Sequence, residues 1–418
     1  MSYEETNDGQ RPGPAHAKTS RRAGRKERAA KRSKGQRWRR RIVASLSILI
    51  VLVLALVGGA YWYVNYRLDQ TTRIKGLAGA LHQHAKPGKP FDVLLVGSDS
   101  RQFEKNGSSA FGSASVVTGQ RSDVTIIARV IPATQQIYLL SIPRDTLVHI
   151  PGHVPYISGE NRINAAFNDG PALLIKTIED NFGIPIEHFA AINFAGFRGM
   201  VNAVGGIKID FPYKLKDAFS QLHIDHTGCQ LIRGNEALAY VRSRHLYYLK
   251  NGTWYYDGLS DWSRIRRQDV FFHALVEKVK GEALNPAAMN DLLLAVVRNL
   301  AIDSTFSNSA LLNLVYEFRH AGVGSLHSEV LPTIPYVTPS GQDVLKQAPG
   351  PDRAMVRAFM AEGTKAAPSP SRTRKKAHGS TGTSPSSTTS TVPSSTTTTT
   401  NPNVFYDTQP EPWNGTPC

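Results

Sequence analysis

The pattern of apolar and polar positions divides the chain into a polar start, one long apolar segment and a folded region. Residues 42–66 contain no charged side chain, and a polar, basic stretch precedes them. The apolar segment 42–63 is long enough for a helix to cross about 30 Å of hydrocarbon. We therefore predict a single transmembrane helix over residues 42–64.

The flanks of this helix predict its orientation. Arginines at positions 37 and 39–41 precede it, and Tyr61, Trp62 and Tyr63 close it. Basic residues favour the cytoplasmic side and aromatic residues the interface. We expect a single-pass protein of the cell membrane, with a disordered basic cytoplasmic tail over residues 1–41. A stalk over residues 65–90 would lead to a domain on the extracytoplasmic side. A cleaved signal peptide is the alternative, but the long basic region favours an uncleaved anchor.

Short apolar runs and helical patterns alternate between residues 91 and 335. Residues 91–96, 124–131 and 137–142 read as strands, and residues 171–182 read as a helix between Pro171 and Gly183. The alternation predicts a mixed α/β sheet covered by helices on both faces. Further strands are predicted at 188–193, 207–211 and 325–331, and further helices at 197–204, 235–244, 261–280, 286–300 and 307–321.

Charge and composition limit what the remaining parts do. Residues 1–41 carry 14 Lys and Arg against 4 Asp and Glu, whereas residues 42–364 carry 30 against 27. The basic tail suits anionic lipid head groups, and since it has no recognition motif, nucleic acid is not an expected partner. Residues 336–418 are predicted to be a low-complexity tail rich in Ser, Thr and Pro. Cys229 and Cys418 are either bridged or unpaired, because spacing alone does not give their distance.

Acidic side chains follow or precede the first predicted strands. Asp99 and Arg101 come directly after the first strand, where ligands collect in α/β sheets. Arg121 and Asp123 lie at the start of the second strand, and antiparallel pairing would bring Asp123 beside Asp99. Two carboxylates there suit a hard cation with oxygen ligands. The alternative is that Asp99 supports a turn and Asp123 a strand end.

Arginines form a second group of candidate residues. A guanidinium stays charged at physiological pH, and its planar fork matches the oxygens of phosphate groups. Such a cluster predicts a highly charged anion as ligand, whereas the alternative is a solvated surface paired with local acids. The group consists of Arg144, Arg242, Arg244, Arg264 and Arg267, with Gln268 on the same predicted helix as the last two.

Together these motifs resemble the LytR-CpsA-Psr family of cell-wall glycopolymer ligases. In order, the motifs are FDVLLVGSDSR at 91–101, RSD at 121–123, SIPRD at 141–145, VRSRH at 241–245 and DWSRIRRQ at 261–268. The single N-terminal span is also as in that family. The insert at residues 246–260, rich in Tyr and Trp, cannot be mapped onto the family pattern.

The resemblance implies a three-layer α/β/α domain that binds a polyprenyl-pyrophosphate glycan and transfers the phospho-glycan to a peptidoglycan hydroxyl. It implies Mg²⁺ held by Asp99 and Asp123, and a catalytic role for both and for Arg244. The apolar run 292–297 would line a hydrophobic tunnel or form ordinary core. A non-catalytic polyprenyl-phosphate or wall-glycan binder is the alternative, and the glycopolymer and the general base stay open. The implied pyrophosphate contacts are Arg101, Arg121, Arg144, Arg242, Arg244, Arg264, Arg267 and Gln268.

Overall fold

A computed structural model describes residues 17–82, 88–98, 122–152, 159–282, 285–364 and 412–418. The chain forms two compact units, Met1–Tyr66 and Arg67–Cys418. The described part of the first unit lies in helix α1 (Ala17–Leu68), whose part Ile42–Leu68 is long and apolar enough to cross a membrane. The described part of the predicted disordered tail is helical, because it is rich in Ala, Lys and Arg, which favour helix.

Strands and helices alternate through the second unit, as the sequence pattern predicts. The strands are β1 Thr72–Ile74, β2 Phe91–Ser98, β3 Ser122–Ile131, β4 Gln136–Ile142, β5 Leu147–Val148, β6 Asn161–Arg162, β7 His188–Asn193, β8 Ile207–Phe211, β9 Lys214–Asp217, β10 Leu222–Ile224, β11 Gly228–Ile232, β12 Tyr247–Lys250, β13 Thr253–Tyr256, β14 Leu300–Asp303, β15 Leu326–Val330, β16 Thr333–Val337, β17 Asp343–Gln347 and β18 Thr416–Pro417. The helices are α2 Ile163–Ala166, α3 Pro171–Phe182, α4 Phe194–Ala203, α5 Gly234–Arg242, α6 Asp261–Glu282, α7 Pro286–Asn299, α8 Asn308–Glu317 and α9 Pro351–Ala361.

The central sheet has seven strands in the order β1-β14-β7-β2-β3-β4-β15. Strand β2 is antiparallel to β3 and parallel to β7, so the sheet is mixed, as predicted. Ser98 pairs with Ser122, which brings the end of β2 beside the start of β3. Asp123, the next residue, therefore lies at the edge where the sequence predicts a site.

Helices cover both faces of this sheet. Side chains alternate along a strand, so Leu94 and Val96 of β2 join the core that contains α3 and Phe359 of α9. Phe91 and Val93 point to the other face, where they pack in a cluster with residues of α6 and α8. This arrangement confirms the predicted three-layer α/β/α fold.

The insert at residues 246–260 forms a hairpin that the sequence analysis leaves unassigned. Strands β12 and β13 pair with each other and, through β9, with β10 in a four-stranded sheet. Asn251 and Gly252 at the turn both have positive φ, of 51° and 79°. An Asn-Gly pair adopts these values readily, and it is the turn sequence that two-residue hairpins prefer.

Two of the predicted boundaries need correction. The predicted stalk, 65–90, contains β1, which pairs with β14 in the central sheet, and the fully buried Leu77. The predicted tail, 336–418, contains the end of β16, its partner strand β17, helix α9 and the returning residues 412–418. These parts fold because they carry apolar side chains that the core buries, among them Val344 and Phe359.

Candidate functional site

Apolar side chains of the sheet and of its covering helices line a cavity of about 580 Å³. Leu292 and Val296 line it from one face of α7, one helical turn apart. The apolar run 292–297 therefore contributes to a cavity and not to core packing alone. Other apolar lining residues include Leu95, Ile126, Ile192, Phe197, Met200, Val201, Leu238, Phe271, Phe272, Leu275, Val279 and Leu300.

Charged and polar side chains line the same cavity. They come from the start of β3, the residue pair after β4, the end of α5 and the first two turns of α6, elements far apart in sequence. An apolar pocket with a few convergent polar groups is the usual form of a ligand site. The polar lining residues that the sequence predicts are Asp123, Arg144, Arg242, Arg244, Arg264 and Gln268.

Aspartate side chains link the arginines into a chain of ion pairs. Arg144 Nη1 lies 2.6 Å from Asp123 Oδ1, and its Nε lies 3.4 Å from Asp145 Oδ2. The same Asp145 oxygen lies 3.0 Å from Arg244 Nη2. Asp145 thus holds Arg144 and Arg244 side by side, and Arg162 adds a longer contact of 3.6 Å.

Asp261 continues this chain into helix α6. Its Oδ1 lies 3.0 Å from Arg244 Nε and 3.1 Å from Arg264 Nη2. The network has a positive formal charge, because it contains four arginines and three aspartates. These are Arg144, Arg162, Arg244 and Arg264 with Asp123, Asp145 and Asp261. That surplus suits an anionic ligand at the cavity.

The surroundings shift the pKa values of two of these arginines, in opposite directions. Burial disfavours the charge of Arg144, but Asp145, Asp123 and Asp261 outweigh burial and raise its pKa. Burial lowers the pKa of Arg264, and the charge of Asp261 opposes that effect. Side chains of Arg144 and Arg244 keep about a quarter of their surface exposed, at 26 % and 25 %, so both can meet a ligand.

Arg242 and Gln268 line the cavity by other contacts. The Arg242 guanidinium lies 4.2 Å from the centre of the Phe194 ring, within the range of a cation–π interaction. Gln268 Nε2 donates a hydrogen bond of 3.1 Å to the carbonyl of Val241. This bond ties α6 to the end of α5, where the arginine pair begins.

Arg267 is the predicted ligand residue that the structure places elsewhere. It is fully buried at 0 % exposure, and it is not among the residues that line the cavity. Its Nη1 pairs with Asp257 Oδ2 at 3.2 Å, and its Nη2 donates to the Ser243 carbonyl. Successive helical residues turn by about 100°, so Arg267 leaves the face that Arg264 and Gln268 share. The structure therefore does not place Arg267 in the cavity lining, and its pyrophosphate contact stays a prediction.

Asp217 is a buried residue of the site that sequence reasoning missed. Its Oδ2 accepts the Ser243 hydroxyl at 2.7 Å and the N–H groups of Arg244 and His245 at 3.0 Å each. Burial raises the pKa of Asp217, but these hydrogen bonds outweigh burial and hold it below its ordinary value. Its other oxygen accepts the N–H of Phe219 at 2.9 Å. The turn at residues 217–219 could have been predicted from the sequence. The contact of Asp217 with residues 243–245 could not, because no local pattern indicates it.

Three predicted residues, Asp99, Arg101 and Arg121, lie outside the described residues, so their roles stay predictions. Within the described part of the chain, no group of three His, Cys, Asp or Glu side chains is arranged to hold a metal ion. Asp123 is the predicted metal ligand that the structure does describe, and its side chain is 13 % exposed.

Fold and site together define an α/β/α protein with an apolar cavity and an arginine–aspartate network in its lining. The model of the LytR_cpsA_psr family matches residues 63–341 of this sequence. The chain belongs to this family, as its motifs predict. The matched range includes all of the site residues discussed above.

Relatives and solved structures agree with this assignment. The polyisoprenyl-teichoic acid–peptidoglycan teichoic acid transferase TagU of Enterococcus faecalis is 34 % identical over 64 % of this chain and 80 % of its own. The probable cell wall biosynthesis protein LcpB of Corynebacterium glutamicum is 35 % identical over 59 % of this chain and 53 % of its own. A LytR-Csp2A-Psr enzyme from Actinomyces oris shares the fold, with a TM-score of 0.54, 22 % identity and coverage of 69 % and 95 %.

Proposed function

We propose that this chain is a phosphotransferase that moves a phospho-glycan from a polyprenyl-pyrophosphate carrier to peptidoglycan and forms a phosphodiester link. The observation that carries the proposal is the cavity, whose lining is mostly apolar but includes Arg144, Arg244 and Arg264. An apolar lining suits a polyprenyl chain, and the arginines suit the diphosphate to which it is joined. Membership of a family whose relatives include named transferases supports the same function.

The reaction exchanges one phosphorus–oxygen bond for another. A peptidoglycan hydroxyl oxygen attacks the phosphorus that bears the glycan, and the bond from that phosphorus to polyprenyl phosphate breaks. Polyprenyl monophosphate leaves, and the hydroxyl proton passes to a carboxylate or to solvent. Guanidiniums fixed before the reaction, such as Arg244, stabilise the charge that gathers on the phosphate oxygens. An arginine cannot accept the proton, so the acceptor is a different group, whose identity stays open.

We also propose Mg²⁺ as the cofactor, with Asp123 and Asp99 as its protein ligands. Asp123 fits this role, because its partly exposed carboxylate lies in the cavity lining. Mg²⁺ commonly binds through one or two carboxylates and completes its shell with water and phosphate oxygens. When bound, the ion would neutralise phosphate charge beside the arginines.

The single apolar helix supports a place in the membrane. We propose that Ile42–Leu68 anchors the chain with its N-terminus in the cytoplasm and the catalytic domain outside. The basic flank and the aromatic residues at the other end carry this orientation. An anchored domain stays near the leaflet that holds the lipid carrier.

The test uses the full chain in detergent with a pyrophosphate-linked lipid glycan, peptidoglycan and Mg²⁺. We expect release of polyprenyl monophosphate and a matching gain of glycan phosphodiester on peptidoglycan. Removing Mg²⁺ with a chelator should stop both. Tight binding of the lipid without release would instead support the non-catalytic binder, and neither binding nor release would overturn the proposal.

A further inference from the structure

The C-terminal residues 412–418 return to the domain and are fixed there at three points. Strand β18 pairs with β8, and Cys418 forms a disulfide with Cys229 of β11. The Trp413 ring stacks on Tyr248 of the hairpin, with ring centres 4.6 Å apart and planes 3° apart. A chain end held in this way is part of the folded structure and not a free tail.

Asn414 is the residue that this segment places in the interior. It is fully buried at 0 % exposure, and its Oδ1 accepts hydrogen bonds from Arg267 Nη1 at 2.7 Å and from the Ser263 hydroxyl at 3.1 Å. Its backbone carbonyl accepts the Tyr240 hydroxyl. Asn414 therefore joins α5, through Tyr240, to α6, through Ser263 and Arg267.

Arg267 connects Asn414 to the backbone of the arginine pair. It donates to the carbonyl of Ser243, the residue directly before Arg244. Asp217 accepts the N–H of the same peptide group, which is that of Arg244, and the N–H of His245 in the next one, at 3.0 Å each. The backbone that carries the Arg244 side chain thus has one fixed position, and Asn414 helps to orient one of the two groups that fix it.

Burial makes this connection sensitive to Asn414. The Nη1 group of the fully buried Arg267 shares its two hydrogens among three acceptors, and Asn414 Oδ1 is the nearest of them at 2.7 Å. Without the Asn414 oxygen, Arg267 would shift towards its remaining acceptors, Asp257 and Ser263. The bond to the Ser243 carbonyl would then change its geometry and displace Arg244.

We propose that Asn414 is a positioning residue for Arg244, and that the Cys229–Cys418 disulfide keeps Asn414 in place. The inference rests on the proposed function, because that function makes Arg244 a group that grips a diphosphate. Beyond that function, we infer that diphosphate binding depends on residues 412–418, which lie far in sequence from every motif of the family pattern. A purely structural Asn414 would stabilise the fold and leave the affinity of the folded protein unchanged.

The experiment measures binding of inorganic pyrophosphate to the full chain in detergent by calorimetry, well below the unfolding temperature. Asn414→Leu removes the acceptor at similar volume, and we expect about tenfold weaker binding, because small displacements of positioning groups are costly. Asn414→Asp keeps an acceptor oxygen and should stay near wild-type affinity, which also covers the case in which the Leu variant does not fold. Thr416→Ala is the matched control, since Thr416 is exposed on the same segment.

A double-mutant cycle with Arg244→Lys separates positioning from stability. If Asn414 acts through Arg244, then Asn414→Leu should weaken binding less than about twofold in the Arg244→Lys background, because interacting sites are not additive. Equal weakening in both backgrounds would overturn the inference while the proposed function stands. Absence of pyrophosphate binding by the wild-type chain would overturn the proposed function and the inference with it.

The disulfide gives a second, independent measurement. Replacing both Cys229 and Cys418 with Ser should weaken pyrophosphate binding in the same direction but less than Asn414→Leu. Binding weakens because the segment, once released from the disulfide, gains entropy when it leaves the domain. The loss is limited because Trp413 and β18 still hold the segment in part. Wild-type affinity in this variant would contradict the role of the disulfide.

Discussion

Arg244 and Arg267 both pair with aspartates, but their surroundings differ. The Arg244 side chain is 25 % exposed and lines the cavity, where it contacts Asp145 and Asp261. The Arg267 side chain is 0 % exposed and pairs with the equally buried Asp257. A partly solvated guanidinium can exchange a carboxylate for a phosphate at low cost, whereas a fully buried one cannot leave its partner. Similar pairs therefore provide a ligand site in one place and a fixed support in the other.

Arg267→Met is expected to give the largest effect of this comparison. It leaves Asp257 charged, buried and without its cation, and breaking such a pair typically costs about 3–5 kcal/mol. We expect a correspondingly lower free energy of unfolding, measured by thermal or denaturant unfolding. Adding Asp257→Leu should recover part of the loss, because it removes the unpaired charge. A loss below about 1 kcal/mol would contradict the view that this pair is a structural support.

Arg244→Ala should have the opposite profile, with a large loss of activity and little loss of stability. Asp145 keeps Arg144 and Arg162 as partners, and Asp261 keeps Arg264. We expect kcat for glycan transfer to fall about 100- to 1000-fold, as for removal of one fixed donor to a developing oxyanion.

Arg162→Ala is the matched control for this loss. Arg162 contacts the same aspartate, Asp145, but is not among the residues that line the cavity. We expect its kcat to stay within a few-fold of wild type. Equal losses of kcat in the two variants would show that the loss comes from disturbing Asp145 and not from removing a contact between Arg244 and the ligand.

Local patterns account for much of the fold. The strands at 188–193 and 207–211 and the helix at 171–182 begin and end where the sequence predicts, because apolar spacing, Pro171 and Gly183 act over short range. The Asn251-Gly252 pair is itself a sequence signal for the hairpin in the insert. The helical spacing of residues 261–268 also indicates that Arg267 and Gln268 point in different directions, because they lie about 100° apart around the helix.

Contacts between distant residues account for what the sequence did not predict. The motifs included the four arginines that line the cavity, Arg144, Arg242, Arg244 and Arg264, but did not indicate which carboxylates pair with them. Asp217 bonds directly to Ser243, 26 positions later in the chain, and Asn414 bonds to Arg267 from 147 positions away. Neither position carries a local pattern that distinguishes it from an ordinary turn residue, so only the folded chain reveals it.

A second buried pair, Asp92 with Arg129, sharpens the comparison through pH. The two residues face each other across β2 and β3, with Arg129 Nη1 2.7 Å from Asp92 Oδ2. Burial raises the pKa of Asp92 to about 7, and Arg129 opposes this only in part. In the unfolded chain the carboxyl has its ordinary pKa near 4, so the folded state binds the extra proton between about pH 4 and pH 7.

This raised pKa predicts a loss of stability as pH rises. The contribution of Asp92 is fully present below about pH 4 and is lost as pH rises through about 7. Asp92→Asn cannot titrate, so the unfolding temperature of the wild type relative to this variant should fall by a few degrees between about pH 5 and pH 8. Titrating groups that do not interact with Asp92 cancel in the difference, whereas Glu187, whose charge also raises the pKa of Asp92, contributes to it. A relative unfolding temperature that stays constant or rises over this range would mean that the ion pair with Arg129 outweighs burial and keeps Asp92 charged throughout.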